Sequence, residues 1–393
     1  MLHEQDEHNV IRLELARGGT EASRESRYEH AAETLRQWRH ANILGHDARP
    51  AYYPYEERFA GPGGDRVRRG FFAAIRLHPW SDDVVLPHER TRTSPKADRR
   101  ELLRACRVQF SPIFCLFEDH DGAVRGLLDE AMQETPFACG TVTSPAAREI
   151  ARDHTLWRAA NRCAQQLTDL FVNRRLYIAD GHHRYEPALE YRDDRRRADE
   201  RWDPSALYEC VMALLVPMDD PGLLVLPTHR LIETPAPLPI DQLVAGWRRH
   251  FDVEPFALPA AAPGAALANE VERRGRDSHV FGVLGPGPAT AHILRLRVPP
   301  TAWPHPVTWR DLDVGLLQGL IVEPLEAANP GTQVEFTRDP DVCAAHAAAD
   351  PRRLSVILNA TTIRQIAAVA RAGDKMPEKS TYFMPKVATG LVM

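Results

Sequence analysis

The sequence lacks the features that mark a membrane, secreted or zinc-stabilised protein. No apolar run approaches the roughly 18 residues of a membrane span. The start, MLHEQDEHNV, is polar and has no apolar signal-peptide core. The six cysteines lie far apart without a CxxC pair, which argues against a zinc site or a disulfide framework. These absences favour a reduced, cytoplasmic compartment.

A strong excess of charge of one sign is also missing. The net charge of the 393 residues is -5, so the chain lacks the overall electrostatic signature of a nucleic-acid binder. Local basic runs, such as Arg66, Arg68 and Arg69, have acids close by and are interpreted as solvated faces. With 44% hydrophobic and 26% charged residues, the composition is typical of a folded globular protein. We expect neither a membrane nor a nucleic acid as partner.

Several common catalytic motifs do not occur. No GxGxxG follows a predicted strand, and GxxxxGK, HExxH and GxSxG are absent. A Rossmann dinucleotide site, a P-loop, a zincin site and an α/β-hydrolase nucleophile are therefore not among the hypotheses.

What the sequence does contain is a succession of amphipathic helices and apolar strands. Helical spacing begins near Ser26, the turn signal GPGGD indicates a hairpin, and residues 151–173 have the spacing of a helix. Composition changes at Glu233, where alanine and proline increase. We predict an α+β protein with a mixed sheet, a catalytic domain over 1–232, a second α+β domain over 233–374 and a C-terminal loop over 375–393.

Polar residues follow directly on an apolar strand in YIADGHHRYEPALEY, residues 177–191. Gly181 can adopt the positive φ that a sharp strand-to-helix turn often needs, and Pro187 suits a first helical turn. A helix is therefore predicted to begin near Tyr185 or Glu186. Its N-terminal N–H groups and dipole would attract an anion at the preceding turn.

The side chains of this turn fit two interpretations equally well. In the first, Arg184 binds phosphate or carboxylate, the two histidines donate hydrogen bonds or bind a metal, and Asp180 orients a histidine or contacts magnesium. In the second, the turn is structural and Arg184 pairs with Glu186 or Glu190. Adjacent histidines point to different faces of a helix, which weakens a two-histidine metal site.

Two further polar segments follow or interrupt apolar sequence. In VVLPHERT, Glu89 has the position of a general base on a substrate hydroxyl, although a solvated surface turn is favoured for this segment by itself. In KMPEKSTYFMPK, the lysines and hydroxyls suit phosphate oxygens, and a solvated basic tail is the alternative. LPTHR at 226–230 is a weaker candidate.

Taken in order, these motifs resemble a known family. VLPHERT, DRRELLRAC, SPIF, YIADGHHRYEPALEY, GLLVLPTHRL and MPEKSTYFMPK resemble the bacterial family called domain of unknown function 1015, over roughly residues 8–393. Three of them also resemble motifs of the archaeal free serine kinases of the ParB/sulfiredoxin superfamily, which phosphorylate L-serine with ADP. The matching segments are Pro87-His88-Glu89, Asp180-Gly181-His182-His183-Arg184 and Lys379-Ser380-Thr381.

This resemblance implies a ParB/sulfiredoxin-like nucleotide-binding core and a function for each matching segment. Glu89 would be the base, with Asp180 and His182 also catalytic. Gly181, His183, Arg184, Lys379, Ser380 and Thr381 would bind the nucleotide phosphates. His88, Arg90, His229 and Arg230 are weaker substrate-binding candidates. Two departures, Glu378 for a usual glutamine and Pro187 for a usual threonine, lie beside the phosphate motifs.

The leading hypothesis is a kinase that uses ATP or ADP with magnesium to phosphorylate free serine or a related hydroxy amino acid. Phosphoryl transfer mainly requires positioning and charge neutralisation, which cations and a helix N-terminus supply. The alternatives are a ParB-like nucleotide-binding switch and a metal-dependent phosphohydrolase using His182 and His183. The sequence does not choose between ATP, ADP and CTP.

Overall fold

The computed structural model describes residues 2–17, 24–89, 93–142, 151–286, 291–297 and 303–393. The chain forms two compact units. The first comprises Met1–Pro87, Thr91–Leu224 and Met384–Met393, and the second comprises His88–Arg90 and Val225–Phe383. Among the described residues, no helix is both long and apolar enough to cross a membrane. The predicted boundary after Ile232 stays a prediction, and the second unit resumes at Val225.

The first unit contains helices on an eight-stranded sheet. Its helices are α1 (Leu2–Gln5), α2 (Ile11–Glu14), α3 (Arg24–His40), α4 (Thr93–Cys106), α5 (Ala123–Ala131), α6 (Asn161–Phe171) and α7 (His182–Ala198). Its strands are β1 (Tyr53–Gly61), β2 (Gly64–Arg76), β3 (Val85–Leu86), β4 (Ile113–Phe117), β5 (Ala138–Thr141), β6 (Asp153–Leu156), β7 (Leu176–Asp180) and β8 (Cys210–Pro217). The strand order is β3-β7-β4-β8-β2-β1-β6-β5. Because β3–β7 and β4–β8 are parallel and β4–β7 is antiparallel, the sheet is mixed.

The predicted hairpin is confirmed. Strands β1 and β2 pair antiparallel, with Gly61 opposite Gly64 at the turn. Gly63 and Gly64 have φ of 83° and 125°, a region that side-chain-bearing residues rarely adopt. The glycines of GPGGD therefore fix the position of the turn and with it the register of both strands.

The core of the first unit lies where the central strands meet α5, α6 and α7. Ile113, Ile178 and Leu215 from the sheet pack with Leu167 of α6 and Tyr185 of α7, and each of these side chains is at most 1% exposed. Burying an apolar side chain of this size contributes about 1.5–3 kcal/mol. Strand β7, which precedes the polar turn, is therefore held in place by the helices that come before and after it in the sequence, α6 and α7.

One predicted helix is partly wrong. Residues 151–173 were expected to be helical throughout, but Asp153–Leu156 form β6, which pairs with β1, and α6 begins only at Asn161. The burial of β6 alternates, with His154 and Leu156 inward. Leu156 fits a helical spacing and a period of two equally well, and pairing with the hairpin decides between them.

The helix after the polar turn also starts earlier than predicted. It begins at His182, so Pro187 lies inside α7 rather than in its first turn. Pro187 cannot donate a backbone hydrogen bond to His183 and is normally unfavourable there. Its side chain is buried.

The second unit contains a six-stranded sheet in which all pairs are antiparallel. Its strands are β10 (His229–Glu233), β11 (Phe251–Pro255), β12 (Val280–Leu284), β13 (Ala291–Leu296), β14 (Gln333–Thr337) and β15 (Arg353–Ile357), in the order β11-β13-β12-β15-β10-β14. Its helices are α8 (Ile240–Trp247), α9 (Pro263–Arg274), α10 (Asp313–Leu317), α11 (Glu323–Ala328), α12 (Pro340–Ala349) and α13 (Ile363–Arg371). A π-helical turn, Gln318–Val322, joins α10 to α11. Two short strands, β9 (Leu224–Leu226) and β16 (Tyr382–Met384), pair separately.

Helices α9 and α12 pack on this sheet. Leu267 and Val271 of α9 share a buried cluster with Cys343 of α12 and with Val280 and Ile293 of the strands. The molecule is thus an α+β protein with a large mixed sheet in its first unit, as predicted.

Candidate functional site

The Asp-Gly-His-His-Arg turn joins β7 to α7 in the first unit. Gly181 has a φ of 99°, and its carbonyl accepts the N–H groups of Arg184 at 2.8 Å and Tyr185 at 3.1 Å. A Cβ at this position would lie 3.1 Å from the Arg184 guanidinium and from the Ile113 backbone. The positive φ therefore favours glycine, as the sequence predicts, and the space for a Cβ is tight.

Two cations face the Asp180 carboxylate in this turn. Arg184 Nη2 lies 3.7 Å and Lys386 Nζ 3.4 Å from Asp180 Oδ2. Burial by itself would raise the pKa of Asp180, but Lys386, Arg184 and His182 outweigh burial and hold the pKa below its usual value. The turn therefore combines an ionised carboxylate, two cations and the positive end of α7.

The pairing expected for a purely structural turn is wrong. Lys96 pairs with Glu186, and Arg100 pairs with Glu190 at 3.0 Å. Arg184 instead donates from Nη1 to the carbonyl of Pro112 at 2.5 Å, which holds its guanidinium over Gly181. His182 is buried and His183 half-buried, so the two histidines differ in access to solvent.

Lys386 follows a segment that a buried ion pair holds in place. Arg68 donates to Pro385 O at 2.9 Å and to Glu57 Oε1 at 2.5 Å. The side chains of Arg68 and Glu57 are 1% and 0% exposed. The interpretation of Arg68 as part of a solvated face is therefore wrong, because its charge is buried and paired.

A sequence signal for this pair exists but was missed. Glu57 lies directly opposite Arg68 in the hairpin, so counting outward from the GPGGD turn brings the two residues into register. Tyr55 extends the network, because its hydroxyl donates to Glu57 Oε2 at 3.1 Å and contacts His154 Nδ1 at 2.5 Å. Burial, followed by the charge of Glu57, raises the pKa of Tyr55 well above its usual value.

The second group of candidate residues lies in the second unit, around Glu89. Glu89 Oε1 accepts the Thr381 N–H at 3.3 Å and the Thr381 hydroxyl at 3.1 Å. His88 Nε2 lies 3.0 Å from the same hydroxyl, and the His88 carbonyl accepts the Met376 N–H at 2.8 Å. The Glu89 side chain is 20% and His88 0% exposed, so this segment is not a solvated surface turn. Arg90 lies outside the described residues.

The Lys-Ser-Thr segment has three different environments. Lys379 is exposed and has a φ of 54°. The Ser380 hydroxyl is turned inward and donates to the Pro377 carbonyl at 2.5 Å, while the Ser380 carbonyl accepts from Thr361 at 3.1 Å. Thr381 alone of the three contacts Glu89. The segment is therefore an ordered loop rather than a solvated tail.

Strand β10 contributes His229 and Arg230, which are both 2% exposed. Arg230 donates to the Thr228 carbonyl, and its guanidinium lies 4.7 Å from the Phe336 ring centre. Burial lowers the pKa of Arg230 to about 10, and the Glu89 charge opposes this change. Burial, with the charge of Arg230, lowers the pKa of His229 to about 4. A buried cation, Arg230, thus belongs to the surroundings of Glu89.

The candidate residues form two groups, each within one unit. Asp180 to Arg184 form the first group together with Lys386, and His88, Glu89, Thr381 and Arg230 form the second. Among the described residues, no group of three or more histidine, cysteine, aspartate or glutamate side chains could hold a metal ion.

The chain combines a mixed α+β fold with the motifs described above, and its sequence also matches a family model. The model of the family described as "Protein of unknown function (DUF1015)" matches residues 1–315. The chain belongs to this family.

The solved structures to which this chain is similar include three proteins, all of low sequence identity. A conserved hypothetical protein from Pyrococcus furiosus is 10% identical, covers 82% of this chain and 94% of its own, and has a TM-score of 0.38. A mutant of a free serine kinase in complex with AMP is 10% identical over 80% of this chain and 88% of its own, with a TM-score of 0.39. SbnI with a C-terminal truncation, from Staphylococcus aureus, is 10% identical over 82% and 86%, with a TM-score of 0.40. No curated protein matches in sequence.

Proposed function

We propose that this chain is a nucleotide-dependent phosphotransferase that phosphorylates the hydroxyl of free serine or a related hydroxy amino acid. The observation that carries the proposal is the Asp-Gly-His-His-Arg turn, where Arg184 and Lys386 face Asp180 at the start of a long helix. The motif resemblance to free serine kinases supports the same assignment.

The first unit would bind the phosphates of ATP or ADP. Arg184 and Lys386 supply two positive charges beside the Asp180 carboxylate. The N-terminus of α7 adds its dipole. Fixed cations and dipoles are what phosphoryl transfer needs most, since charge spreads over the phosphoryl oxygens in the transition state.

A magnesium ion fits this turn if it arrives with the nucleotide. Mg²⁺ usually keeps several waters and takes one or two carboxylates together with phosphate oxygens. Asp180 provides one ionised carboxylate, because its pKa is lowered by Lys386, Arg184 and His182 despite its burial. Bound there, magnesium would neutralise phosphate charge, while His182 and His183 remain predicted nucleotide-site residues.

Glu89 of the second unit is assigned as the general base. Both Thr381 hydrogen bonds go to Oε1, so Oε2 is the atom assigned to the acceptor hydroxyl. Glu89 would take the hydroxyl proton as the oxygen attacks the terminal phosphorus, and the leaving nucleotide would take the electron pair of the broken P–O bond. Arg230 adds positive charge near the carboxylate, and His88 fixes the Thr381 hydroxyl.

The test is a screen of ATP and ADP with magnesium against free hydroxy amino acids, with product detected by ³¹P NMR and mass spectrometry. Phosphoserine is the expected product with serine. Replacing the base with Glu89→Gln should lower turnover by about 10²–10⁴-fold, without changing nucleotide affinity measured by calorimetry. Glu272→Gln, which changes an exposed carboxylate of α9 in the same unit, is the matched control and should retain turnover.

The absence of phosphorylated product for every donor and acceptor would refute the kinase. Nucleotide binding without product would instead favour a ParB-like switch. Product formation that survives Glu89→Gln unchanged would remove Glu89 as base and leave the phosphate-binding assignment standing.

A further inference from the structure

Strand β5 forms one edge of the eight-stranded sheet, and all four of its residues are exposed. Val142, just after the strand, donates its N–H to the Arg152 carbonyl at 2.7 Å. Backbone groups alternate in direction along an antiparallel strand, so Gly140 faces β6 as Val142 does. The N–H and C=O groups of Cys139 and Thr141 therefore point away from the sheet, where no strand of the described part of the chain pairs with them.

The other edges of the two large sheets have features that hinder pairing with another chain. Strand β3, at the opposite edge of the same sheet, is only two residues long. In the second unit, the edge strand β11 contains Asp252 and Glu254, and the edge strand β14 contains Glu335. Short strands and charged side chains are common means of preventing edge-to-edge association. Strand β5, with the sequence ACGT, is longer than β3 and carries no charge.

A second copy of β5, running antiparallel, matches the outward groups of the first. A two-fold axis at Gly140 places Cys139 of each copy opposite Thr141 of the other, and such a pair exchanges both N–H···O bonds. Gly140 then lies opposite Gly140 in a non-hydrogen-bonded pair, where the two Cα atoms approach to about 4.5 Å. Neither copy has a side chain at this closest approach, and no like charges meet across the axis.

We propose that β5 is the interface of a homodimer in which two eight-stranded sheets join edge to edge. The occupant is a second copy of this chain, because the strand is complementary to itself in hydrogen bonding, shape and charge. Phe137, which is 52% exposed, lies two residues before Cys139 and thus on the same side of the chain. It adds apolar surface beside the paired strands.

Sedimentation equilibrium of the full chain measures the dissociation constant of the dimer. Thr141→Pro removes an outward N–H without removing a backbone bond to β6, and proline is tolerated at such a position of an edge strand. The substitution should raise the dissociation constant at least about tenfold, which corresponds to about 1.4 kcal/mol. Circular dichroism should stay unchanged.

Gly140→Glu and Gly140→Lys test the two-fold arrangement itself. A Cβ at Gly140 would meet no atom within 4 Å, so either side chain fits a single chain, but in the dimer it faces its own copy. Each variant by itself should dimerise more weakly than wild type, because like charges directly opposite each other are destabilising. An equimolar mixture should form heterodimers above the statistical proportion in native mass spectrometry. Gly126→Glu on α5, where a Cβ also meets no atom within 4 Å, is the matched control and should dimerise like wild type.

Cross-linking provides an independent measurement. Cys139 is the exposed one of the six cysteines, and diagonal neighbours on paired strands lie about 7–8 Å apart. A short bismaleimide should therefore join Cys139 of the two copies, and Cys139→Ser should abolish the covalent dimer.

A wild-type protein that sediments as a monomer would overturn the proposal. So would a dimer whose dissociation constant is unchanged in both Thr141→Pro and Gly140→Glu, because its interface would then lie elsewhere. If Thr141→Pro does not fold, the charge variants decide: merely statistical mixing of the Gly140→Glu and Gly140→Lys chains contradicts the two-fold axis at Gly140.

Discussion

The two most deeply buried arginines of the described residues, Arg68 and Arg230, are held in different ways. Arg68, in the first unit, forms an ion pair with Glu57, and both side chains are at most 1% exposed. Arg230, in the second unit, has no ion pair within the described part of the chain. It donates to a backbone carbonyl and lies over the Phe336 ring.

We interpret Arg68 as a structural charge and propose a functional role for Arg230. A buried ion pair with additional hydrogen bonds largely compensates its own desolvation, whereas a lone buried cation does not. Arg68 also holds the backbone next to Lys386. Arg230 keeps its charge near Glu89 at a cost that its own contacts do not offset, which is the pattern expected where a charge serves chemistry.

The largest effect is expected from Arg68→Met. The substitution keeps volume but leaves the Glu57 carboxylate buried without a counter-charge, and breaking such a pair costs about 3–5 kcal/mol. Urea unfolding, with hydrogen exchange to locate the affected strands, measures the loss in β1 and β2. The Glu57→Gln/Arg68→Met double variant should recover much of it.

A matched control for this comparison is Arg36→Met. Arg36 pairs with Glu33 on the surface of α3, where its side chain is 69% exposed, and exposed pairs contribute little. Its loss should leave the unfolding midpoint unchanged. Equal effects of the two substitutions would contradict the structural importance of the buried pair.

The second unit should lose stability in mild acid because of His229. Burial, followed by Arg230, lowers its pKa from 6.5 to about 4, so the unfolded state binds the proton first as the pH falls. The stabilisation is complete above pH 6.5 and is lost between pH 6.5 and about 4. The shift corresponds to a loss of about 3 kcal/mol.

This prediction is tested by comparing His229→Gln with wild type in urea titrations from pH 7 to pH 4. Glutamine can still accept the Leu358 N–H, which His229 Nδ1 accepts at 3.4 Å, but it does not titrate. The unfolding free energy of wild type should therefore decrease relative to that of the variant as the pH falls. His120→Gln, at a side chain 85% exposed, should show no such shift, and a parallel course for all three proteins would disprove the role of His229.

In the first unit, several features that depend on local sequence were predicted correctly. A contact between segments that are distant in the sequence was not. The GPGGD hairpin, β7 and the positive φ of Gly181 follow from turn chemistry and apolar runs. The partner of Asp180 does not, because Lys386 is 206 residues away. The motif resemblance implied Lys379 as the phosphate ligand, and Lys386 was one of the three lysines of the C-terminal segment that suited phosphate oxygens; the structure pairs Lys386 with Asp180.

In the second unit the sequence identified the residue types but not their environments. Glu89 and Thr381 were both named from motifs, and their hydrogen bond spans 292 residues. Ser380, which was named as a phosphate ligand, has its hydroxyl bound to the backbone. Motif order indicates which residues to consider, but the direction of each side chain depends on packing that no local pattern encodes.

The smallest effect on stability, and the sharpest contrast with Arg68, is expected from Arg230→Met. Removing a lone buried cation relieves its desolvation cost, while Glu89 keeps its Thr381 hydrogen bonds and its partial exposure to solvent. Urea unfolding should therefore change by no more than about 1 kcal/mol. Activity should respond differently: the substitution removes the positive charge near the proposed base, so turnover in the serine assay should fall. Arg230→Lys should restore part of the turnover, and unchanged turnover in Arg230→Met would show that the buried cation does not act on Glu89.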